Sequence, residues 1–299
     1  MKYKKLEGII PAVITPFDEK EEVDYETLEK HIVFLVENGV DALYPLGTTG
    51  EFPLLSLNER KKIAETVIDV AEGKLPVVIQ VGDDNIGITL ELIEHAMNKG
   101  ADGVAIVTPY YYNLTGDELF DYYSFIASRF PDTPIYLYNI PQITGIKIPI
   151  HTVEALIANY KNIWGIKDSS GDFSYFIDLM KLKGKYSYFL VLTGADKYIL
   201  STHSIGADGN VSGFANCFPE LFSSFRKAFI EGDEANYEII YGKILTICDI
   251  LKNGAILDLI KGCLRVKGRN VGYPRKPLKR LTPLEETALK DALYKTGLL

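Results

Sequence analysis

Eight short apolar runs, rich in β-branched and aromatic residues, recur along this chain with a helix-like stretch after each, and that alternation constrains the fold more than any other feature. The runs are 8–15, 42–46, 76–81, 103–107, 134–138, 163–167, 188–192 and 209–212. Each is brief and nearly continuous in its hydrophobicity, as parallel strands buried on both faces should be. Between them, residues 25–37 carry Leu28, Ile32, Leu35 and Val36 at helical spacing. Residues 57–71 follow Ser56 with Glu59 three positions on, a capping-box start. Residues 89–99 stop at Gly100, and 117–129, 150–160, 175–182 and 198–204 complete the series.

The repeat predicts an α/β chain folded as a (β/α)8 TIM barrel. A doubly wound open sheet is the alternative; no Gly-x-Gly-x-x-Gly follows the first run, so its dinucleotide-binding form has no support. From residue 219 the pattern turns helical: 220–231, 234–251 and 255–267, then a Gly/Pro/Arg stretch over 268–277 and a last helix over 283–295. That is too long for an eighth barrel helix. The expected organisation is a catalytic barrel over residues 1–218 and a helical region over residues 219–299.

Composition removes several classes. A formal charge of −8 argues against a general affinity for nucleic acid or an anionic membrane. Cys217, Cys248 and Cys263 are odd in number and lack Cys-x-x-Cys spacing, which fits a reducing cytoplasm and gives neither a disulfide framework nor a zinc motif. His31, His95, His151 and His203 are scattered, so no local pattern supports a metal. The N-terminal stretch is broken by Pro11 and Pro16 and reads as neither signal peptide nor membrane span. No apolar run elsewhere reaches the roughly 18 residues a spanning helix needs.

In such a barrel the site lies at the C-terminal ends of the strands. Those ends carry Gly47-Thr48-Thr49-Gly50-Glu51, Tyr110-Tyr111-Tyr112, Tyr138-Asn139-Ile140-Pro141, Lys167-Asp168-Ser169 and Thr193-Gly194-Ala195-Asp196. Lys167 closes an apolar run, where an ammonium group must leave water or find partners. It reads either as a snorkelling lysine or as an amine made nucleophilic by desolvation. Gly47 to Gly50 offers hydroxyls and backbone N–H groups able to hold a small carboxylate; an ordinary turn before a helix is the plainer reading. Tyr138 reads as a proton carrier or a core tyrosine, and Tyr110 to Tyr112 as a lid or a subunit contact.

The set Gly47-Thr48-Thr49-Gly50-Glu51, Tyr138-Asn139-Ile140-Pro141, Gly165-Ile166-Lys167-Asp168 and Gly206-Ala207-Asp208-Gly209 resembles the motifs of the pyruvate-dependent class I aldolases. That superfamily includes dihydrodipicolinate synthase, N-acetylneuraminate lyase and 2-keto-3-deoxygluconate aldolase. The resemblance runs in order over nearly the whole chain. It implies that Lys167 forms an imine with the keto carbon of pyruvate or another 2-keto acid, that Thr48 and Thr49 hold the carboxylate, and that Tyr138 shuttles the proton. It implies that Tyr111 matches a tyrosine that, in dihydrodipicolinate synthase, reaches in from a neighbouring subunit, and that the Val211 backbone lies near the pyruvate. The implied catalytic set is Lys167, Tyr138, Thr49 and Tyr111. The implied substrate-binding set is Thr48, Thr49, Ser169, Gly194, Asp196, Val211 and Ser212. No metal or cofactor is called for, and a homotetramer is implied. The physical demand is independent of the resemblance: a free lysine, with a pKa of about 10.4, is less than about one part in a thousand neutral at pH 7, so its surroundings must lower that value before it attacks.

Departures within the superfamily carry the specificity. Dihydrodipicolinate synthases usually have an arginine two residues after the proline of Tyr-Asn-x-Pro; here that position is Ile143, which cannot pair with a carboxylate. N-acetylneuraminate lyases commonly have a glutamate where this chain has Lys197. Pro109-Tyr110-Tyr111-Tyr112, Tyr136-Leu137-Tyr138-Asn139, Asp208-Gly209-Asn210-Val211 and Gly272-Tyr273-Pro274-Arg275 resemble the archaeal 2-keto-3-deoxygluconate aldolases. Those that also take the phosphorylated sugar have an arginine near Leu114 of this chain. Ser169, Asp196 and Ser212 are then expected to meet sugar hydroxyls. The expected function is reversible cleavage of a 2-keto-3-deoxy sugar acid to pyruvate and an aldehyde. The alternatives are 4-hydroxy-tetrahydrodipicolinate synthesis from pyruvate and aspartate semialdehyde, a barrel that binds keto acids without turnover, and a metal-dependent class II aldolase.

Overall fold

A computed structural model describes residues 3–299. Met1 and Lys2, part of the N-terminal stretch read above as no signal peptide, lie outside the described residues. In chain order the elements are β1 (Gly8–Pro11), α1 (Tyr25–Glu37), α2 (Leu57–Ala71), β2 (Val78–Gln80), α3 (Ile86–Asn98), β3 (Gly103–Val107), α4 (Gly116–Arg129), β4 (Ile135–Asn139), α5 (Pro141–Thr144) and α6 (Ile150–Asn159). They continue with β5 (Ile163–Asp168), α7 (Phe173–Lys185), β6 (Leu190–Thr193), α8 (Ile199–Ser204), β7 (Gly209–Ser212), α9 (Pro219–Glu231), α10 (Glu234–Ile250), α11 (Leu257–Val266) and α12 (Pro283–Lys295). The chain divides into two compact units, one holding Pro76–Val211 with the residues before Gly8, the other Gly8–Leu75 with Ser212–Leu299.

In the first unit, strands β2 to β6 and the first three residues of β7 pair in sequence order and all in parallel. Their residues are buried almost without exception, which explains the continuous apolar runs. Gly165 lets β5 lie close against β6: a Cβ there would lie 2.6 Å from the Leu190 carbonyl oxygen. Helix starts follow local chemistry. Thr115 and Glu118 form a capping box on α4, and Asp172 caps α7.

In the second unit, β1 runs on into Ala12, whose N–H donates to the Ser212 carbonyl at 2.8 Å and which makes a parallel bridge to Tyr44. The 42–46 run, expected as a full strand, shows bridge pairing at Leu43 and Tyr44 and no longer ladder. Leu46 takes a left-handed conformation (φ 62°) and turns the chain into Gly47 before a ladder can grow. Asn216 accepts from the Ile14 N–H and donates to the Ala12 carbonyl, and His31 meets the same side-chain oxygen at 3.0 Å. Burial holds His31 well below its ordinary pKa, at about 4, so it stays neutral there. The four long C-terminal helices expected after residue 219 are present as α9 to α12, within a residue or two of the expected bounds.

Candidate active site

The candidate side chains of the first unit come from the C-terminal ends of β4, β5 and β6. Lys167 is the penultimate residue of β5 and is 4% exposed. Its register partner on β4 is Tyr138, and its Nζ lies 4.1 Å from the centre of the Tyr138 ring. Burial lowers the Lys167 ammonium from its ordinary value to about 7, against the opposing pull of the Asp196 carboxylate. At neutral pH a large share of this amine is unprotonated and nucleophilic, the condition that exposed lysines fail to meet.

Neighbouring residues hold the two strand ends level. Asn139 Nδ2 donates to Asp168 Oδ1 at 2.7 Å, and Asn139 Oδ1 accepts from the Ile148 N–H. The Ser170 hydroxyl donates to the other oxygen of Asp168. Burial raises the Asp168 carboxyl, and these hydrogen bonds oppose that. Since Asn139 and Asp168 directly follow Tyr138 and Lys167, their bond fixes the height of one candidate residue against the other. Ser169 donates its N–H to the Asn139 carbonyl and accepts at its own carbonyl from Gln142 Nε2 at 2.7 Å. Gly194 leaves room for both groups: a Cβ there would lie 2.0 Å from Ser169 Oγ and 3.3 Å from Lys167 Cε. Asp196 opens a short 3-10 turn and is 8% exposed.

Lys167, Tyr138, Ser169, Gly194 and Asp196 all lie in the first unit. Val211 is buried on β7. Tyr111 stands in the loop between β3 and α4, 78% exposed, edge-on to Tyr112. That loop is pinned by Asp84, which accepts from the Tyr110 and Tyr111 N–H groups. Ile143 lies on α5 and is 61% exposed.

Thr48, Thr49 and Ser212 belong to the second unit. Thr48 and Thr49 are half-buried in two overlapping turns, with Gly50 N–H donating to the Gly47 carbonyl and Glu51 N–H to that of Thr48. Thr49 borders Gly213. The Ser212 hydroxyl is buried and accepts from the Ala215 N–H at 2.9 Å. Sequence reasoning missed Gln142 and the Asn139–Asp168 bond as supports of the site, though all three residues lie in or beside the motifs that drew attention to it. It also missed Lys261, which reads as a solvated helix lysine and is fully buried. Among the described residues, no three His, Cys, Asp or Glu side chains gather as a metal's donor set. No described helix is long and apolar enough to cross a membrane.

With this geometry in view, the comparison with known proteins is direct. The model of the dihydrodipicolinate synthetase family matches residues 5–296. The chain belongs to that family. An uncharacterised DapA-like lyase of Halobacterium salinarum is 35% identical over 294 residues, covering 98% of this chain and 95% of the relative. A 4-hydroxy-tetrahydrodipicolinate synthase of Methanocaldococcus jannaschii is 33% identical over 292 residues, covering 98% and 99%. Among solved structures, YagE of E. coli K12, a prophage protein of the dihydrodipicolinic acid synthase family determined with pyruvate, superposes with a TM-score of 0.93 at 31% identity, covering 98% of this chain and 99% of YagE. The fold is thus a (β/α)8 barrel with a C-terminal helical extension, and the chain is a pyruvate-dependent class I lyase.

Proposed function

We propose that this dihydrodipicolinate synthetase family member reversibly cleaves a 2-keto-3-deoxy sugar acid, such as 2-keto-3-deoxygluconate, into pyruvate and an aldehyde, with Lys167 as the Schiff-base residue. The observation that carries the reading is a buried amine whose pKa falls to about 7, set 4.1 Å over a tyrosine ring at the ends of adjacent strands. Lys167 Nζ attacks the C2 carbonyl, water leaves, and an iminium forms. The Tyr138 hydroxyl gives its proton to the departing water, and the resulting phenolate takes the proton of the C4 hydroxyl as the C3–C4 bond breaks; the electron pair flows to the iminium nitrogen and the aldehyde departs. The remaining enamine takes a proton at C3, and hydrolysis returns pyruvate and the free lysine.

Thr48 and Thr49 are assigned the carboxylate, through backbone N–H groups and hydroxyls. Ser169, Asp196 and Ser212 are assigned sugar hydroxyls, and Gly194 the space for the chain beside Lys167. Val211 is assigned a backbone place next to pyruvate, and Tyr111 a role completed by a second subunit.

The synthase reading is favoured by the Methanocaldococcus jannaschii relative's name and opposed by Ile143, which offers no cation for a second carboxylate. Initial rates decide between them. A kcat/KM for cleavage of 2-keto-3-deoxygluconate well above that for condensation of pyruvate with aspartate semialdehyde is expected; the reverse order would make the chain a synthase.

A further inference from the structure

A second buried lysine lies in the unit that holds the Gly47–Gly50 turns. Lys261, on α11, and Glu51, the residue after Gly50, form an ion pair at 2.6 Å with both side chains wholly inaccessible to solvent. Lys261 Nζ also donates to the Tyr273 carbonyl at 3.2 Å and lies 4.3 Å over the Phe17 ring. The other oxygen of Glu51 accepts from the Arg275 N–H at 2.8 Å. Asp258, one turn before Lys261 on α11, is fully buried in ion pairing with Arg265 and accepts from the Leu281 N–H. Burial lowers Lys261 to about 8 and raises Glu51, each opposed by its partner's charge.

Such a pair is an expensive way to join a helix to a loop, since apolar residues of the same volume commonly serve stability as well. The backbone shows what it secures. Glu51 takes a left-handed conformation (φ 60°), which a residue with a Cβ adopts only when its surroundings impose it. Its N–H closes the second of the two turns that present Thr48 and Thr49, and its carbonyl starts the 3-10 turn Phe52–Leu54 by accepting from the Leu54 N–H. The Gly50 carbonyl is fixed in its turn by the Thr15 hydroxyl at 2.7 Å. Glu51 is thus the hinge between the threonine turns and the helical chain beyond, and its side chain has been taken out of water to be gripped by Lys261 and Arg275.

We propose that the Glu51–Lys261 pair is a positioning device for carboxylate recognition: it locks Glu51 in its left-handed conformation and so sets the aim of Thr48 and Thr49 at the carboxylate of a 2-keto acid. The proposal rests on the assignment of those threonines given above. Neither Glu51 nor Lys261 touches substrate; both act through the turn.

The test compares two 2-keto compounds, one carrying the recognised carboxylate charge and one with that charge masked as an ester. The rate at which limiting pyruvate labels Lys167 in the presence of cyanoborohydride is set against the rate with methyl pyruvate, by mass spectrometry of the Lys167 peptide. The wild type is expected to favour pyruvate. E51Q and K261M are expected to lose about tenfold or more of that preference, the size expected when hydrogen bonds to a charged group lose their geometry, while labelling by the ester is retained. The double variant E51Q/K261M, which leaves no unpaired buried charge, is expected to lose no more preference than the singles, and it carries the test if a single variant does not fold. The preference is a ratio read on folded protein, so a lower folded fraction leaves it unchanged. An unaltered ratio, or equal losses for both compounds, would overturn the proposal. No label at Lys167 from either compound in the wild type would overturn the assigned function and this proposal together.

Discussion

Lys167, the lysine proposed as the Schiff-base residue, is destabilising in its ammonium form because it is buried. Its folded pKa of about 7 lies below the value of 10.5 expected in the unfolded chain, a difference of a few kcal/mol against the ammonium form. Between those two values the unfolded chain holds a proton that the folded chain has released, so this group's contribution to stability rises with pH across the window. The deficit is greatest below pH 7 and shrinks as pH climbs toward 10.5. Lys167→Met, which removes the buried amine and keeps an unbranched chain, is expected to raise the melting temperature by several degrees at pH 6 and by less at pH 9. A melting temperature equal to wild type at both pH values would mean that the amine is solvated. The same pKa gives a rate of imine formation that rises through pH 7 and levels off above it, measurable with pyruvate under single-turnover conditions. Tyr138→Phe is expected to form the imine more slowly and to lose most turnover, since the proton carrier is removed.

At the scale of elements, β5 carries the lysine only if it can lie close to β6. Gly165 allows this, because a Cβ there would come 2.6 Å from the Leu190 carbonyl oxygen and 3.0 Å from the Tyr136 ring. Gly165→Ala is expected to cost about 1–3 kcal/mol by overpacking, seen as a lower denaturation midpoint, and an unchanged midpoint would show that the strands can part without cost. Elements like these were legible in the sequence because burial on both faces writes itself as an uninterrupted apolar run. Helices α1, α2 and α12 keep their expected bounds for a similar reason, as Asp24, Ser56 and Thr282 cap them through local hydrogen bonds. The 42–46 run was misread as a strand because a left-handed Leu46 leaves no trace in hydrophobicity. Lys167 drew attention because it ends an apolar run with an ammonium group, but the residues alone left a snorkelling lysine and a core tyrosine open, and the roles expected of Lys167 and Tyr138 came from the family resemblance. The Glu51–Lys261 pair was not legible, because its members are distant in sequence and a lysine on an amphipathic helix reads as solvated.

For the whole molecule, the exposed rings of Tyr111 and Tyr112, with Ile143 also bare, supply the aromatic and apolar surface that subunit contacts use. The homotetramer that the family resemblance implies is the expected state in light scattering at micromolar concentration, and a fully active monomer would contradict that. The most direct measurement bears on the lysines taken together. Two of them, Lys167 and Lys261, have burial-lowered pKa values, but Lys261 is held in an ion pair with Glu51 and Lys167 faces Tyr138. The intact protein treated with pyruvate and borohydride is expected to gain one reduced pyruvoyl unit per chain, to lose activity in step with labelling, and to carry the adduct on the Lys167 peptide; Lys167→Ala should take up none. An adduct on Lys261 or any other lysine, or full activity in Lys167→Ala, would contradict the assignment of Lys167 as the Schiff-base residue.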